Sequence, residues 1–260
     1  MLNTSLFTHL VKSNLKIFSI VSGSLSLLIG IIMSVFTPET MDEIARASVD
    51  TPINPLGDIT TLISFVANQF FGNFTLIFAI IYCVIIGNKL IANQVDKGSM
   101  AYYLSTPITR TQYTVTSIIY FVSSLVVMFG LIFCVGFGVA ETIQPGELPV
   151  DKFFILTLGS FFLSLAFSGI TFLASCLFNR SSRSLALGAG LSVFFFATNM
   201  LSGMNENLEA LKNFTLITLY DSDAMIQGGN YGLELTVLVG LSIVLYLFGI
   251  FIFKRKDLPL

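Results

Sequence analysis

Asn88-Lys-Leu-Ile-Ala-Asn-Gln94-Val-Asp96-Lys97-Gly98-Ser-Met-Ala-Tyr-Tyr-Leu-Ser-Thr-Pro107-Ile-Thr-Arg110-Thr-Gln-Tyr113 is the longest break in hydrophobicity with a positive balance. Lys89, Lys97 and Arg110 stand in it against Asp96 alone. Apolar segments flank it on both sides. The rest of the chain reads as a body held in a bilayer, with this stretch on the aqueous side.

Composition supports that reading. Of the 260 residues 54% are hydrophobic and 11% charged, whereas soluble chains are about 25% charged. The surplus apolar surface has to face lipid. Uncharged apolar runs of about 20 residues suffice to cross a bilayer. Such runs lie at about 17–36, 60–87, 115–139, 153–178, 184–204 and 233–253. The expected fold is therefore all-α, an integral membrane protein of six transmembrane helices forming a single transmembrane domain over 1–260. The run after Lys12 and Lys16 exceeds the length of a signal-peptide core, so it is expected to be retained. Residues 5–16 place Leu6, Phe7, Leu10, Val11 and Leu15 on one helical face and Thr8, His9, Lys12 and Lys16 on the other. That pattern suits an amphipathic helix in the membrane interface, or an extension of the first span.

Charge sets the orientation. With the N-terminus inside, the inner segments hold all of the 13 basic residues except Arg46, Lys152 and Lys212. They hold only Asp96 and Asp257 of the 15 acids. Loops rich in Lys and Arg remain cytoplasmic, so both termini are expected there. The loop 37–58 and the turn after Glu141 are acidic and face outward. Pro52 and Pro55 argue for irregular structure in that loop, and the first half of 205–232 has the periodicity of a short helix.

What is missing bounds the chemistry. No ionisable side chain lies in the middle of a span, which argues against an ion-driven pump or an intramembrane hydrolase. There is no Gly-x-x-x-x-Gly-Lys-Ser/Thr phosphate loop. His9 is the only histidine, so no histidine-based catalytic or metal site is expected. Cys83, Cys134 and Cys176 sit in apolar runs and read as small buried hydrophobes, without disulfides. Energy for any active transport has to come from a partner. Asn68, Gln69 and Asn73, with Thr198 and Asn199, are the polar residues within spans most worth weighing. They read as a transport path or as interhelical hydrogen bonding. Small residues at Ser22-Gly23-Ser24, at Gly159, Ser160, Ser164 and Ser168, and at Gly188-Ala-Gly190 allow close helix packing.

Gln94-x-Asp96-Lys97-Gly98-Ser99, followed by Tyr103-Leu104-Ser105-Thr106-Pro107-Ile108-Thr109-Arg110, resembles the loop between spans two and three of type-2 ABC transporter permeases. Those proteins show an acid, then Lys-Gly-Thr, then Leu-Leu-Ser-x-Pro-Ile-Ser-Arg. Gln94 departs from the pattern where an acid is usual. The amphipathic N-terminus is similar to the family's elbow helix, and Leu219-Tyr220-Asp221 with Gly228 to its outer loop. Phe253-Lys-Arg-Lys-Asp-Leu-Pro-Leu260 is similar to endings common in bacterial members.

The resemblance implies a short coupling helix around Asp96 to Leu104, bounded by Pro107. Met100, Tyr103 and Leu104 would fill a groove on a cytosolic ABC ATPase subunit. Lys97 and Arg110 would sit at the rim, Gly98 would allow close approach, and Arg180 would mark a second contact. ATP and Mg would bind that partner, and no cofactor is expected in this chain. A second permease copy would complete a homodimer or heterodimer in a bacterial plasma membrane, with no nucleic acid partner. The function implied is the permease subunit of an exporter moving a hydrophobic or amphipathic solute: a peptide antibiotic or toxin, a lipid or a drug. The alternative is a membrane scaffold or sensor that recruits a cytosolic protein without transport.

Overall fold

In the computed structural model, residues 3–37, 40, 61–105, 108–202, 211, 214–229 and 231–257 are described. Most of the acidic loop 37–58, Pro107, the first half of the expected helix in 205–220, the Leu104 side chain and the last three residues lie outside this set. The described chain is helical: α1 (Thr4–Val35), α2 (Leu62–Phe65), a π-helical segment (Val66–Thr75), α3 (Leu76–Leu90), α4 (Ala92–Asp96), α5 (Ser99–Leu104), α6 (Arg110–Ile143), α7 (Val150–Leu177), α8 (Ser181–Ser202), a 3₁₀ turn (Leu216–Leu219), α9 (Ser222–Gln227) and α10 (Gly232–Arg255). Among the described residues six helical segments are long and apolar enough to cross a membrane, and each overlaps one of the six expected intervals.

Local chemistry sets their ends. The Asn3 side chain accepts from Leu6 N to start α1. Thr109 and Gln112 form a reciprocal capping box that starts α6, which satisfies two otherwise orphaned donors. Asp221 caps α9, and Gly228, at φ +76°, ends it. The amphipathic residues 5–16 are not a separate elbow. They are the opening turns of α1, which runs unbroken for 32 residues. Leu6, Leu10 and Asn14 dock on the bundle, whereas Val11 and Leu15 of the hydrophobic stripe stay exposed.

The second span holds the irregularities. Its first half is π-helical, an unusual state that clusters at functional sites. Its second half breaks at Ile91, whose φ of −128° and ψ of −67° are not helical.

α7 sits at the centre. Of its most apolar window 67% is buried, against 22% for α8, and it packs on α10, α3, α8 and α6. Close approach needs small residues, because lipid supplies no hydrophobic drive for helices to associate. A Cβ on Gly87 of α3 would lie 2.6 Å from Thr171 Oγ1. One on Gly159 would lie 2.8 Å from Met225 and 2.9 Å from the Tyr220 ring. Gly188 also faces α7, whereas Gly23 and Gly190 meet no neighbour within 4 Å. The small-residue clusters are thus only partly internal packing. Cys83 and Cys176 are buried as expected, but Cys134 is exposed on the outer face of α6. An apolar run in a membrane helix has two faces, and hydropathy does not distinguish them.

Gly87→Ala should therefore lower the melting temperature of the purified protein, with a cost of about 1–3 kcal/mol as for other overpacked sites. Gly190→Ala should leave it unchanged. Equal melting of both variants would refute the close α3–α7 contact.

Candidate functional site

The break at Ile91 leaves two backbone groups without helical partners, and side chains from other helices take both. Tyr113 of α6 donates its hydroxyl to Leu90 O at 2.8 Å. Ser175 of α7 accepts from Ala92 N at 2.7 Å. The chain leaves the axis of α3 here and forms α4, a turn, and α5. Gly98 sits in that turn at φ +71°, a conformation that costs glycine little and other residues more. A Cβ there would touch nothing within 4 Å. Within this chain its role is the left-handed turn.

Gln94 braces the same turn. Its Oε1 accepts from Ser99 Oγ at 2.5 Å, and its Nε2 donates to Lys89 O at 3.3 Å. A carboxylate would accept from Ser99 equally well, so the acceptor function at this position does not need an acid.

Asp96 ends α4. Its Oδ2 accepts from Ser181 N at 3.1 Å, which caps α8 from another loop. Asn88 donates to Ser181 Oγ at 2.7 Å. The two turns at this end are therefore one hydrogen-bonded unit, an arrangement their separation in sequence conceals.

The short helix is thus Ser99–Leu104, beginning three residues later than expected. Met100 is 0% exposed. It packs inward, because the break at Ile91 turns that face of α5 onto the bundle, and it cannot fill an external groove. Tyr103 is half-buried: its hydroxyl is hydrogen-bonded to His9 Nε2 at 3.0 Å, and its ring lies 5.5 Å from Tyr113. Burial, and then Tyr102, hold its hydroxyl above the usual tyrosine pKa. The exposed aromatic is Tyr102, at 74%. Adjacent tyrosines differ by about 100° on a helix, and sequence alone does not say which faces out. Asp96, Lys97, Gly98 and Arg180 are exposed.

Arg110 does not form a free rim. Its Nη1 donates to Lys256 O at 2.6 Å, and Lys256 Nζ donates to Cys176 O at 2.9 Å. The C-terminal segment thereby joins α6, α7 and α10. Burial lowers the Lys256 pKa from 10.5 to about 8.

At the opposite end, Asn68, Asn73 and Asn199 line one cavity of about 450 Å³ with Thr218, Tyr220, Asp221, Ser222 and Asp223. Ser222 Oγ donates to Asn68 Oδ1 at 3.2 Å. Gln69 reaches this group through Asn73 Nδ2, at 3.4 Å. Thr198 does not line the cavity: it is buried and donates to Phe194 O. The carboxylates come from a loop far away in sequence, which is why reading the spans alone missed them.

A family model described as ABC-2 family transporter protein matches residues 19–258. The chain belongs to this family. It is a multi-pass ABC-2 membrane permease with six candidate spans, and such permeases pair with ATPase subunits in general. No curated protein matches the chain. The match begins inside α1, so the permease family pattern covers the α4–α5 turn, the polar cavity and the tail.

Two outcomes follow from this geometry. Asp96→Ala should cost about 1 kcal/mol through loss of the α8 cap, read as a lowered melting temperature, while Asp96→Asn retains an acceptor and most of the stability. For Lys256 the folded pKa lies below the unfolded one. Between pH 8 and 10.5 the unfolded chain binds the extra proton, so stability rises with pH across that window. Melting temperatures from pH 7.5 to 9.5 should show this rise in the native protein and a weaker one in Lys256→Gln.

Proposed function

We propose that this permease is half of the membrane unit of an ATP-driven exporter, with α5 as the element that receives a cytosolic ATPase subunit. The observation that carries the reading is the exposed Tyr102 on a short helix held off the α3 axis, with Lys97 and Arg180 exposed at the same end. An aromatic anchor with a charged rim suits a protein partner. Asp96, Gln94 and Tyr103 position α5, Met100 seats it on the bundle, and Arg110 ties the start of α6 to the tail. The count of basic residues supports a cytoplasmic location for this end and for both termini.

ATP and Mg²⁺ would bind the partner subunit, which supplies the hydrolysis that this chain is not expected to perform. A second copy or a related permease would complete the unit in a bacterial plasma membrane. Movement of α5 would pass through α3 to the π-helical segment and the cavity of Asn68, Asn73 and Asn199, and shift them between inward-open and outward-open states. A hydrophobic or amphipathic solute, such as a peptide antibiotic or toxin, a lipid or a drug, suits a path with polar groups at one end and apolar walls along the spans.

The test is reconstitution in liposomes with the ATPase subunits. Tyr102→Glu and Lys97→Glu are expected to reduce substrate-stimulated ATP hydrolysis at least tenfold while the melting temperature stays unchanged. Full stimulation in both variants would refute α5 as the receiving element. Subunit binding without any substrate stimulation in the native protein would favour a scaffold.

A further inference from the structure

The opening turns of α1 carry a feature that coupling does not use. Phe7, Val11, Leu15 and Phe18 recur at helical spacing and face Tyr120 and Val127 of α6 across an apolar groove of about 270 Å³. The groove opens to the surface, and Leu15 is 52% exposed. Lys12 and Lys16 each follow a groove residue by one position, about 100° further round the helix, so they flank it. Both are exposed, and neither forms an ion pair among the described residues.

Depth adds a second constraint. α1 has 32 residues, about 48 Å at 1.5 Å per residue, whereas the hydrocarbon core is about 30 Å thick. Its uncharged part is 17–36. Lys12 and Lys16 therefore lie at the headgroup level of the α5 end, where long lysine stems reach toward the phosphates. The groove runs alongside them, from Phe7, about 8 Å before Lys12, to Phe18, about 3 Å beyond Lys16 toward the acyl region.

We propose that the α1–α6 groove is a binding site for one anionic phospholipid. Its phosphate sits on the ammonium groups of Lys12 and Lys16, and one acyl chain packs along Leu15, Phe18 and Val127. Charge complementarity selects this occupant over a second copy of the chain. Among the described residues the acids at this end are Asp96, which caps α8, and Asp257, so a second copy would bring little to neutralise two lysines. The bound lipid would brace the turn of α1 that carries His9, the hydrogen-bond partner of Tyr103.

The experiment counts lipids retained by the delipidated full chain in native mass spectrometry, with phosphatidylglycerol and phosphatidylcholine as probes. One phosphatidylglycerol should bind at least tenfold more tightly than phosphatidylcholine. Lys12→Ala with Lys16→Ala should remove that preference. Ser123→Phe fills the groove with both lysines intact, and should weaken phosphatidylglycerol binding at least tenfold at an unchanged melting temperature. Should that variant unfold, Val127→Phe provides the same obstruction. Lys152→Ala, at the other end, should have no effect. Retention unchanged by loss of the two lysines overturns the proposal. Sensitivity to the lysines but not to either groove-filling variant reduces the effect to diffuse surface charge and overturns it as well. Efficient crosslinking between copies through Leu15→Cys would assign the groove to a second chain instead.

Discussion

The organisation of this permease depends on how the broken end of α3 is satisfied. An exposed peptide group costs several kcal/mol in an apolar medium. A helix that stops at Leu90 would therefore be unfavourable without outside partners. Tyr113 and Ser175 supply them, from α6 and from α7. The chain can then turn and lay α5 across the end of the bundle. The same two bonds tie the turn to the helices on either side of it. Displacement of α5 thus acts on three long helices together.

α7 adds stiffness at the centre of the bundle. It contacts most other spans, and its neighbours approach closely where glycine stands at the contact. Packed interfaces of this kind favour discrete arrangements over gradual deformation. The π-helical segment is the contrasting element. It lies directly above α3 and carries Asn68 and Asn73 into the polar cavity, and π-helical turns are rare and concentrated at functional sites. Under the proposed coupling, a rigid centre with one irregular helix would allow rearrangement between α5 and the cavity.

Much of the candidate site could be located from sequence, but its roles could not. The pattern from Gln94 to Arg110 falls where the second span ends and the short helix α5 forms. Within it, Met100 faces inward and Tyr102 outward, because the break at Ile91 sets the rotation of α5, and no local pattern encodes that angle. Gln94 accepts from Ser99, a bond that depends on the turn at Gly98 bringing the two within reach. Arg110 and Asp96 are charged residues in a loop that are spent on internal bonds. The partners of those bonds, Lys256 and Ser181, stand 146 and 85 residues away. In the polar cavity the three asparagines were legible as polar residues in apolar spans, while Asp221 and Asp223 joined them only through folding.

The sequence by itself determined the six apolar spans, because transfer of backbone and side chains into lipid is a local property of each segment, but not the helix ends: α1 begins at Thr4 and not near 17, and the second span continues to Asp96 and not to 87. It also determined the sign of the charge at each end, and the absence of a phosphate loop. Tertiary structure decided which face of each span is buried in the chain and which is exposed, as with Cys134 and Gly190. It joined α1 into one helix through its opening turns, and it set which loop side chains remain free. Those outcomes depend on contacts between residues far apart in the chain, and hydropathy carries no information about such pairs.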